Sequence, residues 1–346
     1  MRLSRRALLL GAGAAALGPI PMRRGNTGDE IQELRLTAKP AVANLVGGGS
    51  PNTAVRAYNG TIPGTEIRVR QGDRLRVMVT NELAEDTSVH WHGIRVPNAM
   101  DGVPGLSQPS IRSGKAFIYD FMPPDAGTFW YHPHAHTLEQ LGRGLAGAVI
   151  VEEREPPDVD RDVLWFIEDW RLDDGAQIAP GFGNRMEAAM SGRIGNTVTI
   201  NGRVPDPMSV QPGERLRLRV INAAMARIVG LHFAEHRPVV VAFDGQPCTP
   251  HAPENGRLVL GPAMRADVII DMMGQPGLSY PVTDDFMAAS SPTSSSNSRM
   301  AAESRPKIAE HSRRNHCSPT RCGNPTSPPP SITRSHCRAA GWAGWE

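Results

Sequence analysis

The stretch QGDRLRVMVTN, Gln71–Asn81, decides how the chain is read. Arg74–Thr80 alternates in the two-residue period of a strand, as does Glu66–Arg70 before it, and Gln71-Gly72-Asp73 supplies the turn between them. The same construction returns as Gln211-Pro212-Gly213-Glu214 followed by RLRLRVIN, Arg215–Asn222. Upstream, Asn59-Gly60 matches Asn201-Gly202. The offset is 142 residues from Asn59 to Asn201, and 141 both from Gly72 to Gly213 and from Asn81 to Asn222. Landmarks at a near-constant offset mark two copies of one β domain. Each copy has the size of a Greek-key β-sandwich, about 130 residues. The expected fold is all-β, with tandem sandwiches over residues 30–155 and 156–285.

Composition agrees. Among 346 residues there are 35 Gly and 31 Pro, with few aromatics, which suits a turn-rich β protein better than a helical bundle. A formal charge of +2 gives no electrostatic footprint for nucleic acid.

The two ends read differently. Arg5-Arg6 leads into the small apolar run Ala7–Leu17, closed by Pro19 and Pro21. This run is too short to span a bilayer. Ser4-Arg5-Arg6 followed by leucines resembles a twin-arginine export signal over residues 1–25, and implies a periplasmic location. From Phe286 onward Ser, Pro, Arg and Ala dominate, with no Leu or Val. Such a segment buries too little apolar surface to offset chain entropy, so residues 286–346 are expected to be disordered. Three of the four cysteines, Cys317, Cys322 and Cys337, fall there without regular spacing. Out-of-frame translation of a G+C-rich gene is a second reading of this tail.

The chemistry concentrates in the first copy. In SVHWHG, Ser88–Gly93, strand alternation puts His90 and His92 on one face, with Val89 and Trp91 on the other. About forty residues later comes GTFWYHPHAH, Gly127–His136, where His132, His134 and, more weakly, His136 share a face. Pro133 argues for a strand end, where ligands project freely from the sheet. Two His-x-His pairs can converge four imidazoles, ligands common to zinc, copper, nickel and iron. Adding 141 to His90 and His92 gives Leu231 and Phe233, with His232 out of phase between them. The fold of the second copy therefore does not require the pair. His232, His236 and His251 show no paired spacing.

SVHWHG, Asp101-Gly102, GTFWYHPH and GLAGAVIVEE (Gly144–Glu153) together resemble the first domain of multicopper oxidases, nearest the bacterial periplasmic cuprous oxidase and laccase-like branch. The resemblance covers about residues 30–285. It implies cupredoxin-like domains and a type 1 copper that passes electrons, taken from a phenol or cuprous ion, to a trinuclear cluster that reduces dioxygen to water. By the same resemblance, His90 corresponds to a type 2 copper ligand, and His92, His132 and His134 to ligands of the type 3 pair. Asp101 corresponds to an acidic residue implicated in proton delivery; its other reading is a turn residue, since Asp-Gly is a turn signal.

Only half of the family's cluster histidines are matched. HPxHLHGH-like and HCHIxxH-like motifs do not occur in the sequence. Cys248, in GQPCTPH, has no adjacent histidine and reads as structural. His316-Cys317 and His336-Cys337 lack the histidines that should follow. The expectation is half of a trinuclear copper site and no type 1 site. The alternative is a non-enzymatic periplasmic copper-binding or cupredoxin-scaffold protein.

Overall fold

The computed structural model describes residues 31–286 and 299–303. The first domain has eight strands: β1 (Ile31–Ala43), β2 (Thr53–Tyr58), β3 (Gly64–Arg70), β4 (Arg74–Asn81), β5 (His90–His92), β6 (Ala116–Phe121), β7 (Gly127–His132) and β8 (Gly147–Glu152). They form two sheets, ordered β2-β1-β4-β6 and β3-β8-β7-β5. The pairs β1–β4 and β3–β8 are parallel, and the other pairs are antiparallel. Alternation turns Leu75, Val77 and Val79 of β4 into the core, where they meet Trp91, Phe129 and Tyr131 of the facing sheet. A short helix, α1 (Thr137–Gly142), follows the end of β7.

The second domain comprises β9 (Arg161–Trp170), β10 (Thr197–Ile200), β11 (Met208–Ser209), β12 (Arg215–Asn222), β13 (Val229–Phe233), β14 (Val239–Phe243), β15 (Gln246–His251), β16 (Arg257–Leu260), β17 (Arg265–Asp271), β18 (Ser279–Asp284) and β19 (Arg299–Glu303). Its sheets are ordered β10-β9-β12-β17-β14-β15 and β11-β19-β18-β13-β16. With β14, β15 and β16 set aside, every pairing of the first domain recurs, parallel for parallel: β9–β12 repeats β1–β4, and β11–β19 repeats β3–β8.

The matched asparagines explain the repeat at atomic level. Asn59 accepts from the Thr37 amide and donates to the Arg35 carbonyl; Asn201 does the same to Phe166 and Leu164. Asn81 donates to the Glu85 and Ile111 carbonyls, and Asn222 to those of Arg227 and Leu260. In each copy these side chains satisfy backbone groups that the turns leave open.

Strand β19 lies inside the segment expected to be disordered. It occupies the position of β8, pairing antiparallel with β18 and parallel with β11. Composition measures the apolar surface a segment can bury. Addition to an existing sheet edge instead uses backbone hydrogen bonds, which any such sequence can make. The export signal, the rest of the tail and its three cysteines lie outside the described residues. Among the described residues, no helix is long and apolar enough to cross a membrane.

Both sandwiches belong to one compact unit, and polar as well as apolar contact joins them. Asp267 of β17 accepts from Arg217 (2.7 Å) and Arg219 (3.3 Å) of β12, and from the Thr128 hydroxyl of β7 (2.5 Å). Beside this network Trp130, Ala146 and Ala148 pack against Phe166, Ile221 and Ala223.

Candidate metal centre

Strands β5 and β7 pair His90 with His132, Trp91 with Tyr131, and His92 with Trp130. Val89, Trp91, Phe129 and Tyr131 enter the core of the first domain. The opposite face therefore carries His90, His92, Trp130 and His132. After His132 the chain leaves the strand, and the backbone N–H of His134 donates to the Ser88 hydroxyl at 3.0 Å. That bond brings the exposed His134 ring back beside His90, with ring centroids 4.4 Å apart.

Ring nitrogens of His90, His132 and His134 lie within 4.8 Å of one another. His92 Nδ1 stands 3.3 Å from His132 Nε2. Two neighbouring carbonyls orient the rings. His90 Nδ1 is 2.8 Å from the Asp101 backbone oxygen, and His132 Nδ1 is 3.2 Å from that of Pro133. A carbonyl only accepts, so each Nδ1 carries the proton and Nε2 is left with its lone pair. Trp130 lies against His132 and His92, at 4.2 and 5.1 Å between centroids, and limits how far either ring can turn.

Burial keeps three of the rings, His92, His132 and His134, uncharged. It pushes His92 down to about 4, helped by the Arg265 guanidinium and the neighbouring histidines. His132 falls well below the usual histidine range for the same first cause. His134 is lowered by burial and by His90, against a partial pull from Asp101. Neutral imidazole is the form that binds a metal. Four converging imidazoles form a donor set suited to copper.

The four predicted ligands thus meet at one place. Asp101 is there too, its carboxylate 3.3 Å from His90 Nδ1. His136 is not in the nitrogen cluster; it is exposed and opens α1 with a left-handed φ of 47°. Cys248 is a free, half-buried thiol packed against the second-domain core, with His251 Nδ1 4.0 Å from its sulfur. His236 lies tilted against Tyr280, with ring centroids 5.0 Å apart.

The phase comparison with the second domain needs correction. Val89 and Trp91 face the core, but so do Leu231 and Phe233. Leu231 and Phe233 are therefore counterparts of Val89 and Trp91, and the offset slips by one residue in this strand. His232, exposed on the outer face, is the residue that shares the face of His90 and His92. It stands without a second histidine, since Gly230 and Ala234 flank it in phase and Thr283 lies across the ladder.

Three residues at the site were not singled out from sequence: Trp130, Ser88 and Arg265. Trp130 could have been found, because it stands two residues before His132 on the same face. Nothing local points to Arg265, which arrives from the other domain.

Residues 42–156 and 161–303 each match the sequence pattern described as multicopper oxidase. The chain is 34% identical to multicopper oxidase MmcO of Mycobacterium tuberculosis, over 69% of this chain and 51% of that protein. It is 30% identical to copper resistance protein A of Escherichia coli, over 69% of this chain and 46% of the relative. The chain spans about half the length of these curated relatives. Among solved structures, a multi-copper oxidase from Pseudomonas thermotolerans superposes with a TM-score of 0.73 at 35% identity, covering 82% of this chain and 65% of that one. Lac15 from a marine microbial metagenome gives 0.67 at 33% identity, covering 86% and 73%. Sequence pattern, strand order and the converged histidines agree, and the chain belongs to the multicopper oxidase family.

Proposed function

We propose that His90, His92, His132 and His134 hold copper as one side of a trinuclear centre. The parent activity would be an oxidase coupling one-electron oxidation of a phenol or a metal ion such as cuprous ion to reduction of dioxygen to water. The observation that carries this reading is the convergence of four imidazoles, two of which, His90 and His132, have their lone pairs set by backbone carbonyls. In that reading His90, oriented by the Asp101 carbonyl, would hold the type 2 copper, and His92, His132 and His134 would hold the type 3 pair.

Bound copper supplies one-electron redox chemistry and a place for oxygen to bind. The protein's own residues do the rest. Trp130 and the domain seam keep water from one side of His132 and His92. Asp101, one-third exposed beside His90, can take a proton from solvent and pass it inward, as reduction of oxygen to water requires. The name copper resistance protein A, carried by relatives, suits copper handling of this kind.

In this reading the remaining cluster ligands and the type 1 site are not supplied by residues 31–286, and the chain alone binds copper without turnover. The test is copper stoichiometry after anaerobic reconstitution, with oxygen uptake measured on a phenol and on cuprous ion. Expected are histidine-dependent copper binding and negligible uptake. An intense blue absorption band with sustained turnover would overturn the half-site reading, and absence of copper binding would overturn the copper reading. Export by the twin-arginine route to the periplasm is part of the proposal; replacing Arg5-Arg6 by Lys-Lys should retain the protein in the cytoplasm.

A further inference from the structure

The two ligands His90 and His92 sit on a weak element. Strand β5 has three residues and lies at the edge of its sheet, paired only with β7. Its counterpart β13 is flanked on both sides, by β18 and by β16, and among the described residues the first domain has no equivalent of β16. A short edge strand with one partner frays readily. Yet a metal centre needs its ligands held within a fraction of an ångström.

Arg265, the first residue of β17 in the second domain, stands just past the end of β5 and is bonded to β7. Its side chain is 4% exposed. Nε donates to the Thr128 carbonyl of β7 at 3.2 Å, Nη1 to the Ala263 carbonyl at 3.0 Å, and Nη2 to the Asp244 carbonyl at 2.8 Å. The Asp244 carboxylate balances the charge from 3.1 Å. So anchored, the guanidinium covers Gly93, the residue after His92. A β-carbon on Gly93 would fall 2.2 Å from Nη2, and Gly93 has φ +86°. Glycine there meets two requirements: a left-handed turn out of β5, and room for an arginine from the other domain.

We propose that Arg265 is a positioning residue for the copper half-site, clamping the end of β5 against β7 so that His92 keeps its place beside His132. The domain without ligands thereby takes part in the centre. This inference rests on the copper reading of the four histidines.

The test compares the full chain with Arg265→Gln, Arg265→Lys and Thr53→Val. Thr53 donates to the Ala176 carbonyl across the same pair of domains at 2.7 Å, away from β5, so its loss reports on domain docking in general. Copper affinity by chelator competition, the Cu(II) EPR pattern, and metal-free hydrogen exchange at Trp91–Gly93 are read together. Loss of an outer support costs about tenfold to a hundredfold in metal affinity. Arg265→Gln should weaken copper binding by that much, alter the EPR pattern and speed exchange at Trp91–Gly93. Arg265→Lys should fall between, and Thr53→Val should match the unaltered chain. Unchanged affinity and exchange in folded Arg265→Gln would overturn the proposal, as would equal losses in Thr53→Val. If Arg265→Gln does not fold, the comparison is read from Arg265→Lys. If the unaltered chain takes up no copper, the copper reading fails, and exchange at Trp91–Gly93 alone decides the clamp.

Discussion

His90 Nδ1 lies 2.8 Å from the backbone oxygen of Asp101, eleven residues further on, so a loop carbonyl rather than a side chain sets the orientation of this ligand. The next residue fixes the loop itself. Gly102 has φ +81°, and a β-carbon on it would fall 1.8 Å from the Val89 carbonyl oxygen.

This arrangement separates two substitutions that look equally severe in sequence. Asp101→Asn keeps the carbonyl and should leave copper affinity near its original value. Gly102→Ala forces the loop off β5 and adds a left-handed strain, for a loss of about 2–4 kcal/mol in stability. It should also weaken copper binding, because His90 loses its orienting partner. Urea denaturation with copper titration of both variants checks the ordering. Equal copper affinity in both would show that the carbonyl does not matter.

A second prediction concerns the joint between domains. Asp267 is 1% exposed and accepts from Arg217, Arg219 and Thr128. Asp267→Asn leaves two guanidiniums buried with reduced compensation. Glu153 and Asp162 still pair with them, at 2.5 and 2.8 Å, so the loss should sit near the low end of the range for a broken buried pair, about 3 kcal/mol. Thr53→Val removes one neutral buried bond in the same joint and should cost about 1 kcal/mol. Comparable losses for the two in denaturant titrations would mean that the Asp267 charge contributes little.

How much of this was visible beforehand depended on range. Strand alternation located the ligand face of β5 and β7, and the Asn59/Asn201 and Asn81/Asn222 landmarks exposed the repeat because each asparagine repeats one local bonding task. The constant offset failed where the spacing between landmarks changes by one residue. A period of two turns that slip into a change of face, which is why His232 was put out of phase. Composition missed β19, whose backbone pairs with β18 and β11. Arg265 and Asp267 were invisible as site or joint residues, because both act on partners in the other copy of the fold, far along the chain.

Proton linkage gives the last prediction, for the metal-free chain. The folded protein holds His92 at about 4, against 6.5 when exposed, and lowers His132 and His134 as well. As pH falls below about 6.5 the unfolded chain takes up protons that the folded chain refuses, so stability is lost down to about pH 4. Glu168 acts on the other side. Fully buried, with one carboxylate oxygen unpaired and Asp169 adjacent, it is pushed up to about 8. Its stabilising, protonated form is fully counted below about pH 4.5, and that contribution is lost as pH rises through about 8. Between about 4.5 and 6.5 the histidines outnumber Glu168, and above 6.5 it acts without them. Stability should therefore peak near pH 6.5 and decline on both sides. Glu168→Gln, neutral at every pH, should remove much of the alkaline decline and leave the acid one. Urea midpoints measured from about pH 4 to 9 decide the matter: an alkaline decline of the same size in Glu168→Gln would show that another group carries it.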